Sequence, residues 1–160
     1  MTEQIANVLF VCTGNICRSP FAERLFIKTA AQKGIGGFYA DSAGLLALPG
    51  NSATQMAQKA SIEYGVNLAY HKAKPLTEKL MNWADLILVM EKSQLDELDD
   101  AFPEASGKIK LIRSFARYGS KDRGVVDPYG LEYEAYRFCF LDIEDAVVGL
   151  VDRLVVPKKR

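Results

Sequence analysis

The segment Val8-Leu-Phe-Val-Cys12-Thr-Gly-Asn-Ile-Cys-Arg18-Ser-Pro20 constrains the fold more than any other stretch of the chain. Val8–Val11 is a short apolar run with two valines, the pattern of a buried strand. Ser19 is a good helix N-cap, and Pro20 suits the first helical position, where its missing N–H is no loss. The residues between must turn the chain sharply. Gly14 and Asn15 are of the types that tolerate left-handed backbone. A turn mixing right- and left-handed residues points successive N–H groups inward and forms an anion-binding nest at a helix N-terminus.

The side chains in that turn suggest what the anion is for. Cys-x5-Arg occurs once, from Cys12 to Arg18, since the sixth residue after Cys17 is Glu23 and after Cys139 is Asp145. Helix N-termini and neighbouring arginines favour the thiolate, the nucleophilic form of cysteine. A guanidinium can hold two phosphate oxygens at once, which lysine cannot. The segment reads as a device for gripping a phosphate and attacking it with the sulfur of Cys12.

Strand and helix patterns alternate along the rest of the chain. Strands are predicted over Val8–Thr13, near Phe38–Ala43, over Asp85–Met90 and over Lys108–Ile112. Helices are predicted over Pro20–Lys33, Ala53–Tyr64, a short Thr77-capped segment Glu78–Ala84, and Ser93–Phe102. Ser114–Gly130 is polar and aperiodic, a long loop of the kind that is usually functional. After it, Tyr133, Tyr136, Phe140, Ile143, Val147, Leu150 and Leu154 follow a 3–4 spacing and mark a long C-terminal helix packed on the core. Cys139 flanks this stripe as a half-buried thiol. Alternating β and α elements imply a parallel sheet with helices on both faces and a ligand site at the carboxyl ends of the strands.

Sulfur alone makes a poor phosphatase. The departing oxygen needs a proton and the phosphoenzyme needs an activated water, and one carboxyl group can serve as acid and then base. Asp127 is the candidate, because Pro128 biases its backbone toward extended conformations. The same Asp-Pro pair is also a common way to begin a turn.

Composition narrows the function classes. The chain has 160 residues, 49% of them hydrophobic, enough for one domain with a real core. Basic and acidic residues number 20 each, so no cationic excess points to nucleic acid or an anionic membrane. No signal-peptide pattern or 18-residue apolar run occurs, and the three cysteines do not suggest a disulfide framework, so a cytoplasmic location is expected. Cys12, Cys17 and one remote histidine lack the spacing of a zinc site, and nucleotide-binding glycine motifs are absent.

Cys12–Pro20 resembles the phosphate loop of the low-molecular-weight protein tyrosine phosphatases. Asp127-Pro128-Tyr129 stands where that family carries an Asp-Pro loop before its last helix. Ser42-Ala-Gly44 and His71-Lys-Ala-Lys74 resemble further family segments. The resemblance spans nearly the whole chain and implies one domain over residues 1–160. Its fold would be a four-stranded α/β sheet in flavodoxin-like order, with the phosphate loop after strand 1. It implies hydrolysis of phosphotyrosine monoesters through a cysteinyl-phosphate intermediate, with no cofactor and no metal. Phosphotyrosine proteins would be the substrates, and phosphate, sulfate or vanadate the anions of the site; neither nucleic acid nor membrane would be a partner.

Residue by residue, the resemblance makes Cys12 the nucleophile, Arg18 the phosphate clamp and Asp127 the general acid and base. Thr13, Gly14, Asn15, Ile16, Cys17 and Ser19 would complete the phosphate loop. Asn15 would hold the loop through its unusual backbone, Ser19 would hydrogen-bond the Cys12 thiolate, and Ser42 with His71 would brace Asn15. Leu48 and Tyr129 would form the substrate rim. The rim departs from the family pattern, with Leu45-Leu-Ala-Leu-Pro49 where a tryptophan is common and Gly130 where a second aromatic often stands. Ile16 resembles the phosphotyrosine members; relatives acting on phosphoarginine tend to have threonine there. Cys17, close to Cys12, is expected to capture an oxidised Cys12 as a disulfide; its alternative is a small loop-packing residue. Two other readings stay in play: a thiol-dependent arsenate reductase, for which only Cys139 could supply a further redox cysteine, and a non-catalytic phosphate-binding module, which would not need both Cys12 and Asp127.

Overall fold

The structure, a computed structural model, describes residues 4–154. Its four strands, β1 (Asn7–Cys12), β2 (Tyr39–Gly44), β3 (Leu86–Val89) and β4 (Ile109–Leu111), form one parallel sheet in the order β2-β1-β3-β4. This is the flavodoxin-like order, which the spacing of the sequence could not fix. Its switch point lies between β1 and β3, beside the carboxyl end of β1. Cys12 is the last residue of β1 and so stands at that point.

The pleat divides the apolar residues between two cores. Val8, Phe10, Leu86 and Leu88 face one side, packed under α1 (Arg18–Gln32), α2 (Gln55–Ile62) and the C-terminal helix, labelled α5 below. Leu9, Val11, Ile87 and Val89 face the other, under α3 (Glu78–Trp83) and α4 (Lys92–Ala101). A continuous apolar strand buried on both faces is what a central parallel strand requires. The C-terminal helix, α5 (Tyr133–Leu154), buries Tyr136, Phe140, Ile143, Val147 and Leu150 as its spacing predicts. Phe140 stacks on Phe21 of α1 with ring centroids 3.9 Å apart. Cys139 is buried with the stripe rather than half-buried beside it.

Several boundaries differ from the sequence expectation for identifiable reasons. α1 begins at Arg18 with Cys17 in the capping position, so Ser19 and Pro20 lie inside its first turn. Ser19 does not cap because its hydroxyl is bonded to Asn15 and Cys12. Pro20 is tolerated there because first-turn N–H groups have no helical partner in any case. α4 starts at Lys92, capped by a reciprocal pair in which Glu91 and Gln94 each satisfy the other's backbone N–H. β4 is only three residues long, flanked by 3-10 turns at Pro103–Lys108 and Ile112–Phe115.

The long loop from residue 116 to 132 is tied down by a buried ion pair. Arg113 donates to Asp145 of α5 at 3.1 Å and to the carbonyls of Tyr118 and Ser120. Asp145 in turn accepts from the backbone N–H groups of Arg117 and Tyr118. α5 passes directly beneath this loop at Gly149, where a Cβ would stand 1.9 Å from the carbonyl oxygen of Phe115. Overpacking a core costs roughly 1–3 kcal/mol. Gly149→Ala is therefore expected to lose stability near the upper end of that range, read as a lowered urea midpoint with an unchanged denaturant slope.

Candidate active site

The turn after β1 is organised around one residue. Asn15 is the single non-glycine residue with positive φ among the described residues, at 57°, and its side chain is fully buried. Its Oδ1 accepts from the backbone N–H of Lys74 at 3.0 Å, which fixes the orientation of the amide. Its Nδ2 then donates to Ser19 Oγ at 2.8 Å and to Ser42 Oγ at 3.0 Å. Its carbonyl accepts from His71 Nε2 at 2.7 Å, so the histidine carries its proton on that nitrogen. Burial pushes the His71 pKa down despite this bond, which keeps the ring neutral at pH 7. Gly14, the other candidate for left-handed backbone, does not use it.

The network ends at the sulfur. Ser19 Oγ already accepts from Asn15, and it lies 3.0 Å from Cys12 Sγ, so its own proton is free to point at the thiol. In the other direction Ser42 donates to Glu23 Oε1 at 2.6 Å. Ser42 and His71 are thus both hydrogen-bonded to Asn15. β2 closes against the same loop at Gly44, where a Cβ would meet Thr13 O at 2.6 Å and Asn15 N at 2.9 Å. Leu45 and Leu46 donate their N–H groups to the carbonyls of Cys12 and Thr13, and Thr54 donates to that of Ile16.

Arg18 joins this loop to the Asp-Pro loop. Its guanidinium is 1% exposed; Nη1 donates to Glu91 Oε2 at 2.5 Å and to the carbonyl of Val125 at 2.9 Å, and Nη2 lies 3.5 Å from Asp127 Oδ2. Val125 also donates to the carbonyl of Met90 at the end of β3. Asp127 Oδ1 accepts from the N–H of Tyr129, and its other oxygen faces Arg18. Cys12, Arg18, Asp127 and Tyr129 line one cavity of about 190 Å³, completed by Thr13, Gly14, Ile16 and Cys17. Leu48 is not brought to it and stands 66% exposed on the loop after β2. Cys17 points to Thr54 and Tyr136, and burial raises its pKa above the ordinary thiol range.

Sequence reasoning missed two residues. Glu91 holds Arg18 from 73 positions away, and Gln94 donates to Thr13 Oγ1 at 3.1 Å while accepting from the N–H groups of Met90 and Glu91. The Glu-x-x-Gln spacing of a capping box was the available signal. Among the described residues no cluster of His, Cys, Asp or Glu could hold a metal ion, and no helix is long and apolar enough to cross a membrane.

Glu23 gives this site a measurable pH signature. Burial pushes its carboxyl pKa above the ordinary glutamate range, with Ser42 opposing the shift. A carboxyl raised in the folded state contributes stability below its unfolded pKa, near 4.3, and loses it as pH rises through the folded value. Glu23→Gln keeps an acceptor for Ser42 and removes the titration. The stability of the variant relative to the wild type is therefore expected to increase from about pH 4 toward pH 7 in urea titrations; a gap independent of pH would contradict the assignment.

The sequence model of low molecular weight phosphotyrosine protein phosphatases matches residues 7–159. The low molecular weight protein-tyrosine-phosphatase Wzb of Escherichia coli K12 is 35% identical over 138 residues, 86% of this chain and 88% of its own. A protein-arginine-phosphatase of Bacillus subtilis is 34% identical over 148 residues, 92% of this chain and 96% of its own. The crystal structure of the tyrosine phosphatase Wzb from Escherichia coli K30 in complex with sulphate superposes with a TM-score of 0.84 at 31% identity, covering 94% of this chain and 99% of the other.

Proposed function

The chain belongs to the low molecular weight phosphotyrosine protein phosphatase family, and we propose that it hydrolyses phosphotyrosine monoesters of proteins with Cys12 as nucleophile and Asp127 as general acid and base. The observation that carries this reading is the convergence of a thiol, a guanidinium and a carboxyl group on one small cavity at the carboxyl end of β1.

In the proposed sequence the phosphoryl oxygens lie against the N–H groups of the loop from Thr13 to Arg18 and in the fork of Arg18. The Cys12 thiolate attacks phosphorus, forming the S–P bond as the P–O bond to the tyrosyl oxygen breaks. Asp127 gives its proton to that oxygen. A water then attacks phosphorus, Asp127 takes its proton, and the S–P bond breaks to release phosphate and the thiolate. Ser19 stabilises the thiolate as reactant and leaving group through the bond at 3.0 Å. The tetrahedral oxyanion in the sulphate complex of Wzb supports the reading of this loop as an anion cradle for phosphate or sulfate.

The cavity wall supports phosphotyrosine over phosphoarginine. Ile16 presents a branched apolar side chain to the cavity, and Tyr129 stands at its mouth, 63% exposed. An aromatic leaving group can stack and pack there, whereas Ile16 offers a guanidinium no hydrogen-bond acceptor. A thiol nucleophile requires a reducing compartment, which supports a cytoplasmic location.

Hydrolysis of para-nitrophenyl phosphate near pH 5.5 in EDTA tests the chemistry. Turnover is expected to vanish in Cys12→Ser and to fall about 10²–10⁴-fold in Asp127→Ala; an inactive reduced wild type would overturn the proposal. A phosphotyrosine peptide is expected to be cleaved in preference to a phosphoarginine peptide. We also propose that peroxide oxidises Cys12 to a sulfenic acid, which the Cys17 thiol attacks to form a disulfide with loss of water. Intact mass should fall by two hydrogens and recover with dithiothreitol, and accumulation of sulfinic acid instead would refute the capture step.

A further inference from the structure

The second face of the sheet is incompletely covered. Tyr39 and Asp41 of β2 pair with Asn7 and Leu9 of β1, and opposed residues of paired strands share a face. Leu9 lies in the core beneath α3 and α4, but α3 has only six residues, and edge strand β2 is left beside it rather than under it. Between β2 and α3 runs a groove of about 890 Å³, several times larger than the cavity at Cys12 and separate from it.

The chemistry of its walls is specific. Trp83 is half-buried on one side, and Tyr39, 65% exposed, stands on the other, with Leu80 and Pro75 adding apolar surface. Two ammonium groups reach it. Lys74 pairs with Asp41 at 2.6 Å, and Lys79 has no carboxylate partner among the described residues. We propose that this groove binds a small planar aromatic anion, its ring against Trp83 and Tyr39 and its negative group on Lys79 and Lys74. A cationic ligand would face two ammonium groups against one carboxylate, and a neutral aromatic would leave Lys79 unused.

The groove is wired to the phosphate loop by two residues. Lys74, whose ammonium faces the groove, donates its backbone N–H to Asn15 Oδ1 at 3.0 Å. Asp41 Oδ1, which holds that ammonium, also accepts from the N–H of Ser42, whose hydroxyl accepts from Asn15. An anion in the groove competes with Asp41 for Lys74 and so acts on two of the partners of Asn15, Lys74 and Ser42. Occupancy is therefore expected to change turnover as well as to be detectable by binding.

Trp83 is the single tryptophan of the chain, so its indole N–H gives an unambiguous amide-correlation peak in the full-length 15N-labelled protein. Titration with 2-naphthoate is expected to shift that peak saturably, and Lys79→Met to weaken binding about fivefold, the size of one partly exposed ion pair. The neutral alcohol 2-naphthalenemethanol is expected to bind more weakly. An unmoved indole peak, or equal affinity of the alcohol, would overturn the site. Turnover of para-nitrophenyl phosphate should change over the same concentration range, displaced fivefold in Lys79→Met; constant turnover with the groove filled would overturn the coupling.

Discussion

The left-handed backbone at Asn15 is the constraint on which the site depends. A non-glycine residue at φ 57° costs of the order of 1–2 kcal/mol and holds only where its surroundings repay it. Here the repayment comes from a side chain with no unsatisfied group. Its oxygen and both amide hydrogens are bonded to Lys74, Ser19 and Ser42, and its carbonyl is held by His71. The partners come from α1, from β2 and from the loop before α3. The conformation of the Cys12 loop is thus held from three separate parts of the chain rather than by its own residues alone.

The same packing explains residues that carry no chemistry. Gly44 has no side chain because the carbonyl of Thr13 and the N–H of Asn15 occupy the space a Cβ would fill. Glu23 is buried although burial disfavours its charge, since it accepts the proton that Ser42 has left after accepting from Asn15. Each link in this chain has one orientation in which all donors and acceptors are used. A fully satisfied buried network of this kind is rigid, whereas a partly satisfied one costs more than an apolar core.

Much of this was legible in the sequence, and what was not has a physical reason. The apolar run before Cys12 and the 3–4 stripe of α5 are local periodicities, and both elements lie where the pattern puts them. The contacts of Asn15 with Ser42 and His71 were accessible through resemblance to family segments; periodicity alone gave no hint of them. Glu91 escaped because its contact with Arg18 is made across 73 positions, and nothing in its neighbourhood marks it as more than a helix start. Ser19 does not cap because its hydroxyl is taken by Asn15 and Cys12 within the same loop, a use its capping preference does not reveal. Strand order was accessible through the family resemblance alone, since spacing along the chain does not fix which strands pair.

Arg18 has a further consequence. Its guanidinium is bonded at once to Glu91, the cap of α4, and to the Val125 carbonyl two residues before Asp127, and Val125 is itself anchored on Met90. The segment bearing Asp127 is therefore docked on the Cys12 loop through Arg18. One buried guanidinium thus fixes the distance between two loops that lie more than a hundred positions apart in the chain, and a displacement of either is transmitted to the other.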